Sequence, residues 1–365
     1  MKNNWSCFYR CILTALLLIS SVANASELSD RFHEYQQALK ENDADKIATA
    51  AKSVFSVVEN YPKNNKNFAA ASLNYGKALM GLGKFEDAEI YAKKSLESHR
   101  KIYGDKGVQL IDPLLVLAEI RARDVYSNRN GGYRRYIEDA LDIAKENDGK
   151  DSLLFARVNL EAGKITLNYA KERRAHTYLE VAHTAFYGPH KKDTYGRFYS
   201  SFYLGKYYLS RNLYKKAEPL LAEALDVVDV ENGKDGQLEL TTRAFLVETY
   251  DKLGQKEKSI EQCRAIGKAT PFNMDQELVP LFNRVAEYPT SALEFRREGY
   301  AIAQFTISDS GFAEDIEILE TKGASSFGDA AKKYLEQARY APRFVDGAPV
   351  DTPDRKVKFN FNLAD

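Results

Sequence analysis

Three stretches of this chain carry the same two small-residue marks, and that repetition constrains the fold more than any other feature. LNYGKALMGLGKFEDA (73–88), LEAGKITLNYAKERRA (160–175) and FYLGKYYLSRNLYKKA (202–217) align with Gly76, Gly163 and Gly205 in register, each followed by lysine. Ala88, Ala175 and Ala217 follow the glycines by twelve residues. The last two copies are 42 residues apart, and another step of 42 reaches Val247, where Leu246, Tyr250 and Gly254 keep the pattern without the glycine. Self-similarity at such a period marks a solenoid of helical hairpins, in which each unit buries its apolar stripe only against its neighbours. The small residues fall where the two helices of a hairpin cross closely. Gly83-Lys84-Phe85 and Asn212-Leu213-Tyr214 supply the short turns.

The spacing is longer than the 34 residues or so of a tetratricopeptide repeat because the second helix runs on. Residues 97–112 (ESHRKIYGDKGVQLID) and 182–197 (AHTAFYGPHKKDTYGR) extend it and add a Gly-containing loop. Residues 112–147 fit a further pair with a widened turn at Tyr126–Tyr133, and 28–60 fit a first pair ending at Tyr61-Pro62. Five or six pairs are expected over residues 26–283. The segment resembles tetratricopeptide repeats of the longer, kinesin-light-chain type, which implies an elongated surface that holds another protein.

Residues 267–287 contain Pro271 and Pro280 and fit no repeat; Leu278, Leu281, Phe282 and Val285 suggest a short helix ahead of a domain boundary near 284. Beyond it the period changes. Residues 299–308 (GYAIAQFTIS) alternate, with Ala301, Ala303, Phe305 and Ile307 on one face, so a half-buried strand is expected. Asp309-Ser310-Gly311 turns the chain into a second strand that carries Ile316 and Ile318 on one face. Ser326 is placed to cap a helix on which Phe327, Ala330, Ala331, Tyr334, Leu335 and Ala338 recur at helical spacing, with Pro342 as its stop. Asp346-Gly347 makes a turn. Residues 356–363 (KVKFNFNL) alternate again, with Val357, Phe359, Phe361 and Leu363 inward and Lys356, Lys358, Asn360 and Asn362 outward. The expected class is α+β multidomain: an all-α solenoid, then a small ββαβ module over 284–365.

The module resembles the C-terminal domain of the TonB family. The resemblance rests on Tyr288-Pro289, Glu298-Gly299, Asp309-Ser310-Gly311, Phe327, Arg339-Tyr340-Ala341-Pro342, Asp346-Gly347-Ala348-Pro349-Val350 and the closing Phe359-Asn360-Phe361. Gln337-Ala338 stand where the family usually has a tryptophan. The resemblance implies that the last strand accepts a short peptide of an outer-membrane TonB-dependent receptor, with Tyr288, Pro289 and residues 357–361 (Val357, Lys358, Phe359, Asn360, Phe361) as contacts. It also implies an inner-membrane proton-driven motor as a second partner. A closing strand with a partner on one side only exposes unpaired N–H and C=O groups, and such an edge can accept an added strand. Cover by the linker, by the preceding loop or by a strand of a second copy is the alternative, a homodimer in the last case.

With 52 basic and 52 acidic side chains the chain has no charge excess that would support nucleic-acid binding. Lys2 and Arg10, an apolar run from Cys11, and Ala23-Asn24-Ala25 form the pattern of a secretory signal cut after Ala25. That places the protein in the periplasm with Cys263 as its one remaining thiol. An uncleaved inner-membrane anchor is the alternative, although the run is short of the ~20 apolar residues of a spanning helix. No catalytic set, cofactor motif or metal site emerges, and no enzyme is expected. His176, His183 and His190 are seven apart, about 10 Å along a helix, where metal-binding pairs use i and i+4. Gly163-Lys164-Ile165-Thr166 lacks the earlier glycine of a phosphate loop, Val158 standing there, and Asp229–Glu239 lacks the alternating oxygens of a calcium loop. In the repeats, Lys77, Lys164 and Lys206, with Arg157 and Tyr199 beside them, are candidates for a basic groove that takes an acidic or carboxylate-ended peptide. Solvated lysines on ordinary helix positions are the alternative.

Overall fold

The computed structural model describes residues 22–124, 132–230, 236–270, 279–282 and 285–363. The signal-like segment up to residue 21, most of the turn expected at Tyr126–Tyr133, residues 231–235 of the acidic loop, Leu278 and position 284 lie outside the described residues. The chain divides into two compact units, Met1–Gly196 and Arg197–Asp365. This division falls well before position 284.

The first unit is built of consecutive helical hairpins: α1 (Val22–Glu41) with α2 (Ala44–Val58), α3 (Lys66–Gly81) with α4 (Phe85–Tyr103), α5 (Ile111–Arg123) with α6 (Tyr133–Asp148), and α7 (Leu153–Ile165) with α8 (Ala175–Tyr187). Several starts are capped by short polar side chains. The Asp43 carboxylate accepts from the amides of Asp45 and Lys46, Asn65 accepts from Asn67 and Phe68, and Ser152 accepts from Phe155. The repeated glycine does what its register implies. A Cβ on Gly76 would stand 3.1 Å from Ala88 O and Ala92 N of the facing helix, so any larger residue would push α3 and α4 apart. Leu110, just ahead of α5, with Leu114, Leu117 and Ile120 of α5, forms the centre of the larger apolar cluster.

The second unit holds α9 (Thr194–Leu209) from Arg197 onward, α10 (Tyr214–Val230), α11 (Gly236–Lys252) and α12 (Lys256–Ala269). With these, the described residues contain six helical pairs ahead of the strands, at the upper end of the expected count. Gly205 faces Leu221 of α10, and Val247 is fully buried where the fourth copy of the pattern falls. The left-handed backbone at Gly83 (φ 74°), Asn212 (57°) and Gly254 (73°) turns three of the hairpins at the same repeat position, which glycine and asparagine tolerate best.

The β module follows a short helix α13 (Thr290–Glu294). Strand β1 (Gly299–Ile307) is central, with β2 (Ala313–Lys322) antiparallel on one side and β5 (Thr352–Phe361) antiparallel on the other. Helix α14 (Ser326–Gln337) packs on β1 and β2. Ala301, Ala303, Phe305 and Ile307 are all at most 1 % exposed beneath it, and Phe327, Ala331 and Leu335 are fully buried above them. Burying each large side chain here is worth roughly 1.5–3 kcal/mol. Gly328 lets the helix approach β2, since a Cβ there would meet Thr321 Oγ1 at 3.0 Å.

Four local expectations are corrected. Ser325, not Ser326, occupies the α14 N-cap, without a side-chain cap hydrogen bond. The helix stops at Gln337, where Ala338 turns extended, five residues before Pro342, because the following residues pair elsewhere: Arg339 bridges to Phe312 and its carbonyl accepts from the Leu281 amide at 2.8 Å. Residues 279–282 are not helical, and Val285 is exposed; buried Phe282 and half-buried Leu281 join the α11–α12 cluster instead. Asp346-Gly347 does turn the chain, but within a two-stranded hairpin of its own, β3 (Arg343–Val345) with β4 (Ala348–Val350), which alternation over three residues is too short to reveal.

The module is docked on the last helical pair of its unit. Gly267 of α12 lies so close to the Pro342 backbone that a Cβ would overlap its carbonyl, and Gly311 (φ 82°) packs against Tyr340 and Cys263. The Arg339 guanidinium, 9 % exposed, reaches Asp251 Oδ1 at 2.5 Å and stacks 4.0 Å from the Phe312 ring. Arg264 pairs with Asp309 at 2.8 Å. Burial pushes the Cys263 thiol up to about 12, so it is an inert packing residue.

Candidate peptide-binding edge

Alternation along 356–363 is what positions the edge. Its inward residues tie β5 to the core, and β1 pairs with it on one side only. Phe361 is 3 % exposed and stacks on Phe327, ring centroids 4.4 Å apart. Tyr288 packs edge-on against both rings at 5.7 Å, and its hydroxyl donates to the Arg297 carbonyl at 2.5 Å. The Leu363 amide donates to Glu298 Oε1 at 2.7 Å. These contacts fasten the C-terminal end of β5. Towards its middle the inward residues are less covered: Val357 and Phe359 are half-buried, Phe359 meeting Tyr334 of α14 edge-to-face at 5.1 Å.

Lys356, Lys358 and Asn360 are exposed on the other face. Across β1 they are opposite Gln304, Ile302 and Tyr300, and β2 carries Glu317, Glu320 and Lys322 at the same levels. The Lys358 ammonium lies 4.0 Å from the Tyr300 ring centre, and Tyr300 donates to Glu320 at 2.6 Å. Among the described residues β5 has β1 as its only sheet partner, so no strand flanks its outer side. Seven successive pairs, Gly299–Phe361 through Phe305–Arg355, run without a break. The bulge comes only beyond them, where Asp354 (φ 57°) accepts from Gln304 at 3.0 Å.

Of the seven residues expected at the edge, five share one strand, and Tyr288 and Pro289 take other places. Val357, Lys358, Phe359, Asn360 and Phe361 are on the open strand. Tyr288 is spent on the fold, as the edge-on lid of Phe327 and Phe361. Pro289 is the N-cap of α13, its carbonyl accepting from the Ala292 and Leu293 amides at 3.0 Å. It also lines a groove of about 350 Å³ between residues 285–290 and α14, bridged by Lys333 and Glu287 at 2.8 Å. Sequence reading passed over Tyr334 as a site residue, because its helical spacing marks it only as core.

The repeat candidates are placed differently from the expected open stripe. In the first unit Lys77 is half-buried on α3, Lys164 is 8 % exposed with Nζ 3.1 Å from Glu161, and Arg157 pairs with Asp193 at 2.8 Å. Burial pushes the Glu161 carboxyl up to about 7, against the pull of Lys164. In the second unit Tyr199 is buried against Phe198 and Tyr203, and burial lowers the Lys206 pKa. The three histidines have local partners: His176 meets Glu180 at 2.9 Å, His183 stacks on Tyr187, and His190 meets the Asp151 carbonyl at 2.7 Å. Among the described residues no cluster could hold a metal ion, and no helix is long and apolar enough to cross a membrane.

The chain is similar to the crystal structure of BtubC (BKLC) from P. vanneervenii, with a TM-score of 0.48 and 17% identity over 72% of this chain and 100% of that one. It is also similar to the apo form of RapI, with a TM-score of 0.44 and 14% identity over 67% of this chain and 97% of that one. No curated protein sequence matches it. Residues 284–363 match the family described as Gram-negative bacterial TonB protein C-terminal, so the chain carries a TonB C-terminal domain behind its helical hairpins.

Proposed function

We propose that this is a non-enzymatic, periplasmic TonB-family protein that captures an extended peptide of an outer-membrane receptor by adding it as a fourth strand beyond β5, while the helical hairpins hold a second protein partner. The observation that carries this reading is the seven-pair unbroken stretch of β5, whose outer side has no strand beside it among the described residues. Main-chain pairing supplies affinity in such a mode, and side chains supply selectivity. Coupling to an inner-membrane proton-driven motor needs an anchor, for which the N-terminal segment is the candidate. The reading without transduction is an envelope scaffold that uses the same edge purely for docking, and it holds if the segment is removed after Ala25. Two measurements decide. Pull-down of outer-membrane receptors by the full chain should succeed and should be lost when the β5 edge is blocked; no receptor retained would overturn the receptor reading. Sequencing the mature N-terminus separates transducer from scaffold.

A further inference from the structure

We infer that the guest strand at β5 is selected by an alternating pattern, acidic on the solvent face and apolar on the helix face, over about seven residues. The inference rests on the strand-addition reading and names the chemistry of its guest. Length follows from the ladder: seven unbroken pairs present a straight edge of about 24 Å, and the bulge at Asp354 ends it. The solvent-face preference follows from how charge is laid out on the sheet. Glu317 and Glu320 are on β2, Gln304 and Ile302 on β1, Lys356 and Lys358 on β5, so a whole neutral strand separates the acids from the lysines by about 10 Å. Among the described residues neither lysine has an ion pair; Lys358 lies over Tyr300 instead. A strand added outside β5 brings its own side chains within about 5 Å of both, where a carboxylate is favoured and a lysine is disfavoured. The helix-face preference follows from incomplete cover. Because α14 packs on β1 and β2, Val357 and Phe359 remain half-buried at the rim, and apolar guest residues at alternate positions would remove the rest of their surface from water.

The test uses the full chain and capped nine-residue peptides, with binding measured by fluorescence anisotropy at low and physiological salt. One peptide alternates glutamate with valine, one alternates lysine with valine, and one has the glutamate/valine composition in two blocks. The alternating acidic peptide should bind about tenfold tighter than the basic one, and the difference should shrink with salt. The blocked peptide should bind weakly, and K356E/K358E should reverse the charge preference. Both side chains are exposed, so circular dichroism should show the variant folded, and K356Q/K358Q should abolish the preference without reversing it. Equal binding of acidic and basic peptides would overturn the charge selection and leave strand addition standing. Equal binding of alternating and blocked peptides would overturn the face assignment. If no peptide binds, the open edge itself is wrong and the inference falls with it.

Discussion

The two outer strands of the sheet flank the same β1, yet their edges are built for opposite ends. Strand β2 never runs more than three pairs before its register shifts: breaks fall between Ile302 and Ala303 and again between Gln304 and Thr306, and Asp315 is left-handed at φ 52°. Its outward side chains include Glu314, Glu317 and Glu320. Bulges and like charges are how proteins keep an edge from recruiting strands. Strand β5 has seven pairs in a row and half-covered apolar residues at its rim. Under the strand-addition proposal, availability of main-chain groups is not enough to make an acceptor edge; straightness over several residues is needed as well, and of the two outer strands β5 has the longer unbroken register.

The sharpest way to break this contrast is proline. Neighbouring amides of a strand point to opposite sides, so Lys358→Pro and Phe359→Pro remove one donor facing β1 and one facing the guest. One variant should lose peptide capture by about 100-fold or more while staying folded, and the other should chiefly lose thermal stability. Normal capture by both, read by anisotropy, would remove β5 as the acceptor. Next in size, Phe361→Ala should cost about 3–5 kcal/mol, because a fully stacked ring is removed between Phe327 and Tyr288. Urea unfolding checks this, and a value under 1 kcal/mol would mean that the end of β5 is not fastened as described.

A pH series supplies a control away from the sheet. Glu161 binds its proton more tightly folded, at about 7, than unfolded, near 4.5. Its contribution to stability is therefore complete below about 4.5 and is lost as pH rises through about 7, on the order of 3 kcal/mol. Glu161→Gln should flatten that slope for the first unit in unfolding curves at pH 5 and 7. The smallest effect expected is at Asp315, where Asp315→Val should cost about 1–2 kcal/mol in the left-handed backbone and Asp315→Gly almost nothing. Neither should alter capture.

Much of this was legible because it depends on period. Alternation over 299–307 and 356–361 marks the inward faces correctly, and three glycines in register mark the helix crossings. Contacts between distant residues were not legible. Nothing in Tyr288-Pro289 shows that the ring closes over Phe361, seventy-three positions later. The bulges of β2 leave no mark, since Asp315 is an ordinary exposed acid in an acidic run. Lys164 departs from an open groove because Glu161, three residues earlier on the same helix, pairs with it, while the repeated Gly-Lys pattern carries no sign of that partner.

Arg339 and Asp251 are 88 positions apart, and their meeting makes the sheet a poor candidate for excision. A fragment begun at 284 would strand the guanidinium beside Phe312 without its counter-ion and would bare the surface that α12 now covers around Gly311. Removing one partner of a buried pair typically costs about 3–5 kcal/mol, a large share of what so small a fold can spare. The smallest piece fit for purification accordingly begins ahead of α11, and any gene rearrangement that moved this sheet to a new host protein would have to carry the hairpin α11–α12 with it.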